Sequence, residues 1–361
     1  MKYVNKEFNA ILNINSENIK KNYLTLKKLA KDAEVASCVK ANAYGLGMIE
    51  ICSILKKMKC KSFFVATVEE ALLLRNKFKS INIYLLNGIN NISDCKKLVK
   101  NRIIIVINNT SQFLILKEAY NYFNFKILSG IHLDTGMNRL GWSQEDIDKY
   151  YMFLKKYLDL KLVMTHMISS EKKSSLNRKQ LDKFNKIKKK FSFNKNIKFS
   201  LSNSNAIFLG KNYHFNLVRA GGFLYGLDLS NKNQSKTVVS LQAKVIQISK
   251  VNAGKSIGYG AEYIAKKNLK IATLAIGYAD GLPRNYKGYA VYKSNKVPFV
   301  GRISMDLSCI DVTKLKKISV NDWVEIFGRK LSVSLFSDTC NTIPYETTCR
   351  IGPRVKRIYN I

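Results

Sequence analysis

The sequence predicts an α/β chain, with a (β/α)8 TIM-type barrel over residues 1–230 and a mostly β C-terminal domain over residues 231–361. Three observations carry this expectation. Short β-branched runs and helical segments alternate eight times within the first 230 residues, the signature of a parallel barrel. After about residue 230, long helical periodicity nearly vanishes and strand-like runs separated by Gly- and Asn-containing turns take over. A length of 361 residues is also more than one ordinary core organises.

The strand candidates, in chain order, are EVASCVK (34–40), SFFVA (62–66), INIYLL (81–86), RIIIVI (102–107), IHLD (131–134), LKLVMTH (160–166), IKFSLS (197–202) and NLVR (216–219). Before the first, residues 18–31 place Ile19, Tyr23, Leu26 and Ala30 on one helical face. Thr67-Val-Glu-Glu70 reads as a capping box opening the helix that carries Ala71, Leu72 and Leu74. Ser143-Gln-Glu-Asp146 reads as another helix start, with acids in its first turn. A doubly wound open sheet is the structural rival, but eight units of this spacing favour closure. The polar stretch DLSNKNQS (228–235) marks the domain junction. Beyond it, TVVSLQAKVIQISKV, KIATLAIGYADG, YAVYKS, VPFVGRISM and SCIDVT read as strands.

Composition narrows the function classes. The first residues, MKYVNKEFNAILNINSENIKKNY, lack the apolar core of a signal peptide. No run approaches the roughly 18–20 apolar residues that span a bilayer. A cytoplasmic protein with no membrane partner is the expectation. Seven cysteines form no CxxC pair, and only three histidines exist, none within four residues of a cysteine. Reduced thiols and no metal site follow. The net charge of +36 suggests an anionic partner. Yet the lysines run along the whole chain, alternating with apolar residues as solvent faces of helices do, and no zinc finger, helix-turn-helix or RNP motif is present. A solvated basic surface is therefore favoured over nucleic-acid binding.

In barrel enzymes the working groups sit at the carboxyl ends of the strands. Those positions hold Lys40, Asp134 with Arg139, His166, Asn203-Ser204 and Arg219-Ala-Gly-Gly222. A lysine ending an apolar strand is either a snorkelling surface residue or a desolvated, pKa-lowered amine able to bond covalently to a carbonyl. Arg219 with Gly221 and Gly222 suits a phosphate, although a plain βα turn explains the glycines equally well. Ser204 either caps a helix starting at Asn205 or donates to a phosphate. His166 reads as a core histidine or a site residue, and Tyr44 and Tyr345 as ordinary amphipathic tyrosines or ligand contacts. In Gly258-Tyr259-Gly260 the glycines strip away bulk and present the phenol, and Gly-Arg-Ile-Ser-Met-Asp (301–306) ends a strand with polar groups; turn chemistry alone accounts for either.

Taken together these residues resemble the alanine racemases, pyridoxal-phosphate enzymes of fold type III. The resemblance covers nearly the whole chain. VKANAYGLG (39–47), DTGMNRLG (134–141), TH (165–166), NS (203–204), VRAGGFLYG (218–226), GYG (258–260), GYADGLPR (277–284), GRISMDLSCIDVT (301–313) and TIPYE (342–346) match the family's motifs in family order. It implies pyridoxal 5'-phosphate as cofactor, held covalently by Lys40, with Lys40 and Tyr259 as the two acid/base groups. Tyr259 would reach into the partner's site of a homodimer. Tyr44, Ser204, Gly221, Gly222 and Tyr345 would hold the phosphate, and Arg219 would face the pyridine nitrogen. An arginine there does not readily give up a proton, so that nitrogen stays unprotonated and transamination is limited. His166 would belong to the network of positive charge around Tyr259. Arg139 and Met305 would handle the substrate carboxylate, and Tyr278 would stand at the entry.

The implied reaction is interconversion of L- and D-alanine, supplying D-alanine for peptidoglycan. Two departures from the family pattern stand out. Leu46 replaces a histidine, which should change packing and leave chemistry intact. His132 replaces a lysine that becomes carbamylated and orients the substrate arginine; an imidazole cannot supply that negative charge, so an anion such as chloride or another contact must serve. This motivates a neighbouring expectation, a racemase of broader or shifted specificity towards serine, lysine or arginine. A non-catalytic cofactor carrier and a fold-related basic-amino-acid decarboxylase are disfavoured, the first by the domain carrying Tyr259 and the second by the GYG and SMD pair.

Overall fold

The computed structural model describes residues 8–191, 193–227 and 235–360. It divides into two compact units, one built on Lys20–Leu224 and the other joining the segment up to Ile19 to the chain from Tyr225 onward. The junction expected at 228–235 lies, apart from Ser235, outside the described residues.

Ala10–Asn15 forms β1, which pairs antiparallel with the long strand β10 (Val239–Val251) of the second unit, Ala10 facing Ala243 and Ile14 facing Val239. This segment, AILNIN, falls within the residues expected in the barrel. It joins the second unit because its apolar side chains Ile11, Leu12 and Ile14 are buried there.

The barrel strands are β2 (Glu34–Cys38), β3 (Ser62–Val65), β4 (Asn82–Leu85), β5 (Ile104–Ile107), β6 (Ile127–His132), β7 (Leu158–Met164), β8 (Lys198–Ser200) and β9 (Leu217–Ala220). All pair in parallel, and β2 pairs with both β3 and β9. The remaining seam, between β8 and β9, is bridged by Asn203 against Arg219, with the Asn216 amide donating to the Phe199 carbonyl at 3.1 Å. Phe64, Tyr84, Val106, Leu162 and Met164 fill the interior. Around it run α1 (Ser16–Leu29), α2 (Met48–Lys57), α3 (Val68–Lys77), α4 (Ile92–Lys100), α5 (Thr110–Phe123), α6 (Gln144–Tyr157) and α7 (Ser175–Lys188). From α3 onward each opens on a Ser, Thr or Asn side chain that accepts a hydrogen bond from a first-turn amide, and the boxes at Thr67 and Ser143 are complete.

Most strand boundaries shift by one or more residues from expectation, and two of the shifts are instructive. β6 begins at Ile127 rather than 131, and Gly130 is interior, where an added Cβ would lie 3.2 Å from Leu162 and Val106. β7 ends at Met164, so His166 follows the strand instead of closing it.

In the second unit, β10 carries a bulge between Val245 and Gln247 and pairs with β1, β13 (Leu269–Leu274) and β17 (Trp323–Phe327). β11 (Ser256–Ile257) and β12 (Tyr263–Ile264) form a short ribbon. β14 (Tyr289–Tyr292), β15 (Asn295–Val300) and β16 (Ser308–Asp311) complete the antiparallel array, and β18 (Lys356–Asn360) runs parallel to β1. Two short helices, α8 (Val333–Thr339) and α9 (Pro344–Cys349), precede β18. No described helix is long and apolar enough to cross a membrane.

Candidate active site

Lys40 follows β2 and opens a turn of unusual hand. Ala41, Asn42, Ala43 and Tyr44 all have φ between 51° and 57°, one left-handed turn of four non-glycine residues. The Cβ–carbonyl crowding of that hand costs about 1–2 kcal/mol per residue. Offsetting bonds surround it. Ala43 N–H donates to Val39, Gly45 N–H to Ala41 and Gly47 N–H to Asn42. The Asn42 side chain accepts from the first amide of α2, at Met48, at 2.8 Å. Glu70 closes the clamp: one carboxylate oxygen takes the Ala41 amide at 2.6 Å, while the other takes Ala66 at 2.8 Å. The acidic member of the α3 capping box therefore also holds the lysine turn. Lys40 itself is partly buried rather than sealed in the core. Leu46 is fully buried.

The turn delivers Tyr44 to the end of β9. A Cβ built on Gly221 would lie 2.7 Å from the Tyr44 hydroxyl, so a larger residue here would push that hydroxyl away. The Gly221 amide donates to Ser204 Oγ at 2.7 Å. Ser204 is thus engaged across the barrel seam, and capping falls to Asn203, whose side chain accepts from the Ala206 amide at 3.0 Å. Tyr44, Ser204 and Gly221 make a small polar cradle, with Gly222 opening the short 3-10 helix that follows.

Beside it lies Arg219, 3% exposed and without a carboxylate. Its guanidinium donates to Ser200 Oγ at 2.6 Å, to the Ser200 carbonyl at 3.1 Å and to the Thr165 carbonyl at 2.6 Å. Burial lowers its pKa to about 10, so the cation survives at neutral pH. Arg219 also donates to His166 Nδ1 at 3.4 Å, which makes that nitrogen the acceptor. Burial first, then Arg219 and Arg139, hold His166 well below the usual imidazole range. Gln180, which sequence reasoning missed, braces this loop by donating to the His166 carbonyl at 2.9 Å and to Thr135 at 3.1 Å.

His132, 7% exposed, ends β6. Its Nδ1 lies 2.9 Å from Asn108 Oδ1. The Asn108 amide nitrogen faces the Leu86 and Val106 carbonyls, so its oxygen faces the ring and Nδ1 carries the hydrogen. Gln112 accepts from the Asn108 backbone N–H at 2.8 Å and from its side-chain nitrogen at 3.2 Å, which fixes the pair. Burial, with Arg219 next, pulls His132 down to about 4. At neutral pH it is an uncharged imidazole presenting the Nε2 lone pair. Asp134 makes no ion pair with Arg139; one of its oxygens takes the amides of Gly136, Met137 and Asn138. Arg139 is exposed and has no ion-pair partner among the described residues.

The second unit carries the other candidates. Tyr259 sits at the tip of the β11–β12 ribbon between Gly258 (φ 79°) and Gly260 (φ 72°) and is 68% exposed. The chain around Tyr278 and the 301–306 stretch meet through Tyr278 N–H to Ser304 and Ala279 N–H to Met305, each 3.0 Å. Gly277 is where they touch; a Cβ there would collide with the Met305 backbone. Arg354 ties the same loops by donating to Asp280 at 3.0 Å and Asp306 at 2.7 Å. Met305 (53%) and Tyr278 (41%) stay exposed. Tyr345, on α9, is partly buried.

The barrel residues fit pyridoxal phosphate: a partly buried amine, a cradle that a single Cβ would fill, and a buried cation lacking a carboxylate. Among the described residues no cluster of His, Cys, Asp and Glu could hold a metal ion.

Comparison with known proteins agrees in extent. Residues 14–229 match the family model for the alanine racemase N-terminal domain, and residues 238–359 match that for the C-terminal domain. An alanine racemase of Rickettsia rickettsii is 39% identical over 353 residues, covering 96% of this chain and 98% of its own. One from Rickettsia bellii is 40% identical over 91% of this chain and 82% of its own. Among solved structures, the Bartonella henselae alanine racemase with covalently bound pyridoxal phosphate superposes with a TM-score of 0.92 at 35% identity, covering 98% of this chain and 99% of that one. The biosynthetic alanine racemase of Pseudomonas aeruginosa gives 0.89 at 29% identity, over 98% and 100%.

Proposed function

This chain belongs to the alanine racemase family, and from that membership we infer that it is a pyridoxal-phosphate-dependent racemase interconverting L- and D-alanine, with Lys40 and Tyr259 as its acid/base pair. The cofactor, when bound, draws electron density from Cα and so acidifies its hydrogen. Lys40 Nζ takes or returns that proton on one face. Tyr259 Oη does the same on the other, so the site runs in both directions. The observation that supports this reading most is the convergence of Tyr44, Ser204 and Gly221 beside Arg219 and the lysine turn. Tyr44, Ser204, Gly221, Gly222 and Tyr345 hold the phosphate, and Arg219 faces the ring nitrogen with His166 oriented against it. Arg139 and Met305 receive the substrate carboxylate, and Tyr278 stands at the entrance.

Tyr259, Tyr278 and Met305 are exposed on neighbouring loops of one unit, which supports a homodimer in which each copy presents them to the other's site. The enzyme works in the cytoplasm, and its D-alanine serves peptidoglycan synthesis. A broader racemase, acting on serine, lysine or arginine, is the second reading; an uncharged His132 leaves Arg139 without a resident anion, which supports it.

Incubating purified protein with each L-amino acid and resolving the product enantiomers tests the substrate. Alanine is expected to turn over fastest, and a faster partner would move the assignment to the second reading. Borohydride reduction should fix the cofactor to one peptide containing Lys40. Protein that stays colourless with pyridoxal phosphate would overturn the whole reading.

A further inference from the structure

At the opposite end of the barrel, where the strands begin, lies a cavity of about 580 Å³ that the racemisation site does not use. Asn82, Ile104 and Lys198, the first residues of β4, β5 and β8, line it. Six of its fourteen lining residues are cationic, namely Arg75, Lys79, Lys100, Arg102, Lys161 and Lys198, and none is acidic. Lys161 and Lys198 are neutralised from outside by Asp159 and Glu34. Lys79, Lys100 and Arg102 have no acidic partner among the described residues, and neither does Arg75.

Complementing the carboxyl ends of α3 and α4 accounts for isolated lysines there, but not for how Arg75 is used. Arg75 is buried, and its guanidinium spends its donors on carbonyls of two separate turns. It binds Phe78 at 3.1 Å and Lys79 at 2.9 Å after α3, then Asn101 at 2.9 Å and Arg102 at 3.3 Å after α4. A buried cation thus staples together the two turns that carry the uncompensated charges. Arg102 is held at φ 53°, a conformation in which an asparagine or glycine would be easier, so its side chain is aimed by a strained backbone.

We propose that this cavity is a binding site for a linear oligophosphate, of the kind carried by inorganic tripolyphosphate or a nucleoside triphosphate. Lys79, Lys100 and Arg102 around one concavity, with the buried Arg75 behind them, exceed what a single carboxylate needs, whereas three successive phosphates match the three outer cations in number. The cavity volume lies within the usual range for small-ligand sites of about 300–1,000 Å³. Nucleic acid is disfavoured because no aromatic platform faces the ligand. Tyr84, the one aromatic lining residue, is buried and stacked on Phe64 at a centroid distance of 4.5 Å. The phosphates therefore make the contacts, and a base adds little.

Isothermal titration of the holoenzyme with tripolyphosphate, with ATP and with a single-stranded RNA oligonucleotide, at about 0.15 M salt, tests this. One site per chain is expected, with tripolyphosphate and ATP binding within a few-fold of each other. The variant Lys79→Gln/Lys100→Gln/Arg102→Asn should bind at least about tenfold more weakly, since asparagine retains the left-handed backbone at 102. The control Lys27→Gln/Lys28→Gln/Lys31→Gln removes as many charges near the carboxyl end of α1 and should bind within twofold of wild type. Racemisation should be unchanged in both. ATP binding much more tightly than tripolyphosphate would keep the site and assign the nucleotide as its source. Equal weakening by the control, undiminished binding by the cavity variant, several sites per chain, or binding to RNA alone would overturn the proposal.

Discussion

The two units hold their shares of the candidate site in opposite ways. In the barrel unit the polar groups are buried and already bonded to protein: Arg219 to Ser200 and Thr165, Ser204 to Gly221, His132 to Asn108. In the second unit Tyr259, Tyr278 and Met305 stand out on short loops, more than two-fifths exposed in each case. The first arrangement suits a guest that stays, because every dipole is set before it arrives. The second suits groups completed by another surface. Apart from Tyr345, the barrel side should then govern whether cofactor binds, and the exposed loops whether a proton moves on the second face.

The most severe way to break that division is Lys40→Ala. Racemisation should fall by about 10⁴-fold or more, with the visible absorbance of the lysine-bound cofactor lost; a coloured, active variant would remove the lysine from the barrel's share. Tyr259→Phe should lower turnover by about 10²–10³-fold yet leave cofactor absorbance intact. Solvent deuterium exchange at Cα should then be lost preferentially for one enantiomer. Were cofactor binding to weaken as well, the two units would not divide their labour as drawn.

The third effect is on stability and its pH dependence. His132 is held near 4 in the folded chain and titrates near 6.5 when unfolded. Below about 6.5 the unfolded state therefore binds a proton that the folded state refuses. Folding stability should drop as pH falls from about 6.5 to about 4, by roughly 3 kcal/mol from this residue. Chemical denaturation of His132→Gln over that range should show a shallower decline than wild type; parallel curves would contradict the buried neutral imidazole. Smaller still, Gly221→Ala should weaken cofactor affinity about tenfold by driving a methyl against the Tyr44 hydroxyl, and Tyr44→Phe in the same chain should recover part of it. Glu70→Gln should lower stability by about 1–2 kcal/mol, because a neutral amide cannot accept at both the Ala41 and Ala66 amides as strongly.

Much of this was legible in the chain. The eightfold alternation gave the barrel, since strand and helix periodicities are local. Lys40, Arg219 and the GYG stretch stood out because a charge at a strand end, or a phenol between glycines, is locally odd. What stayed hidden depends on closure. Nothing near Glu70 points to Ala41, 29 residues away, and nothing in IVINNT pairs Asn108 with His132. The alternation in AILNIN was visible, but not that its partner lies beyond residue 238. Arg75 reads as one more helical surface residue until two turns fold over it.

The turn from Ala41 to Tyr44 has a stereochemical consequence. Its dihedral angles mirror those of an ordinary right-handed helix, so the clash that L-residues suffer there would vanish for residues of opposite configuration. D-alanine placed at positions 41 and 43 by semisynthesis should relieve about 1–2 kcal/mol at each.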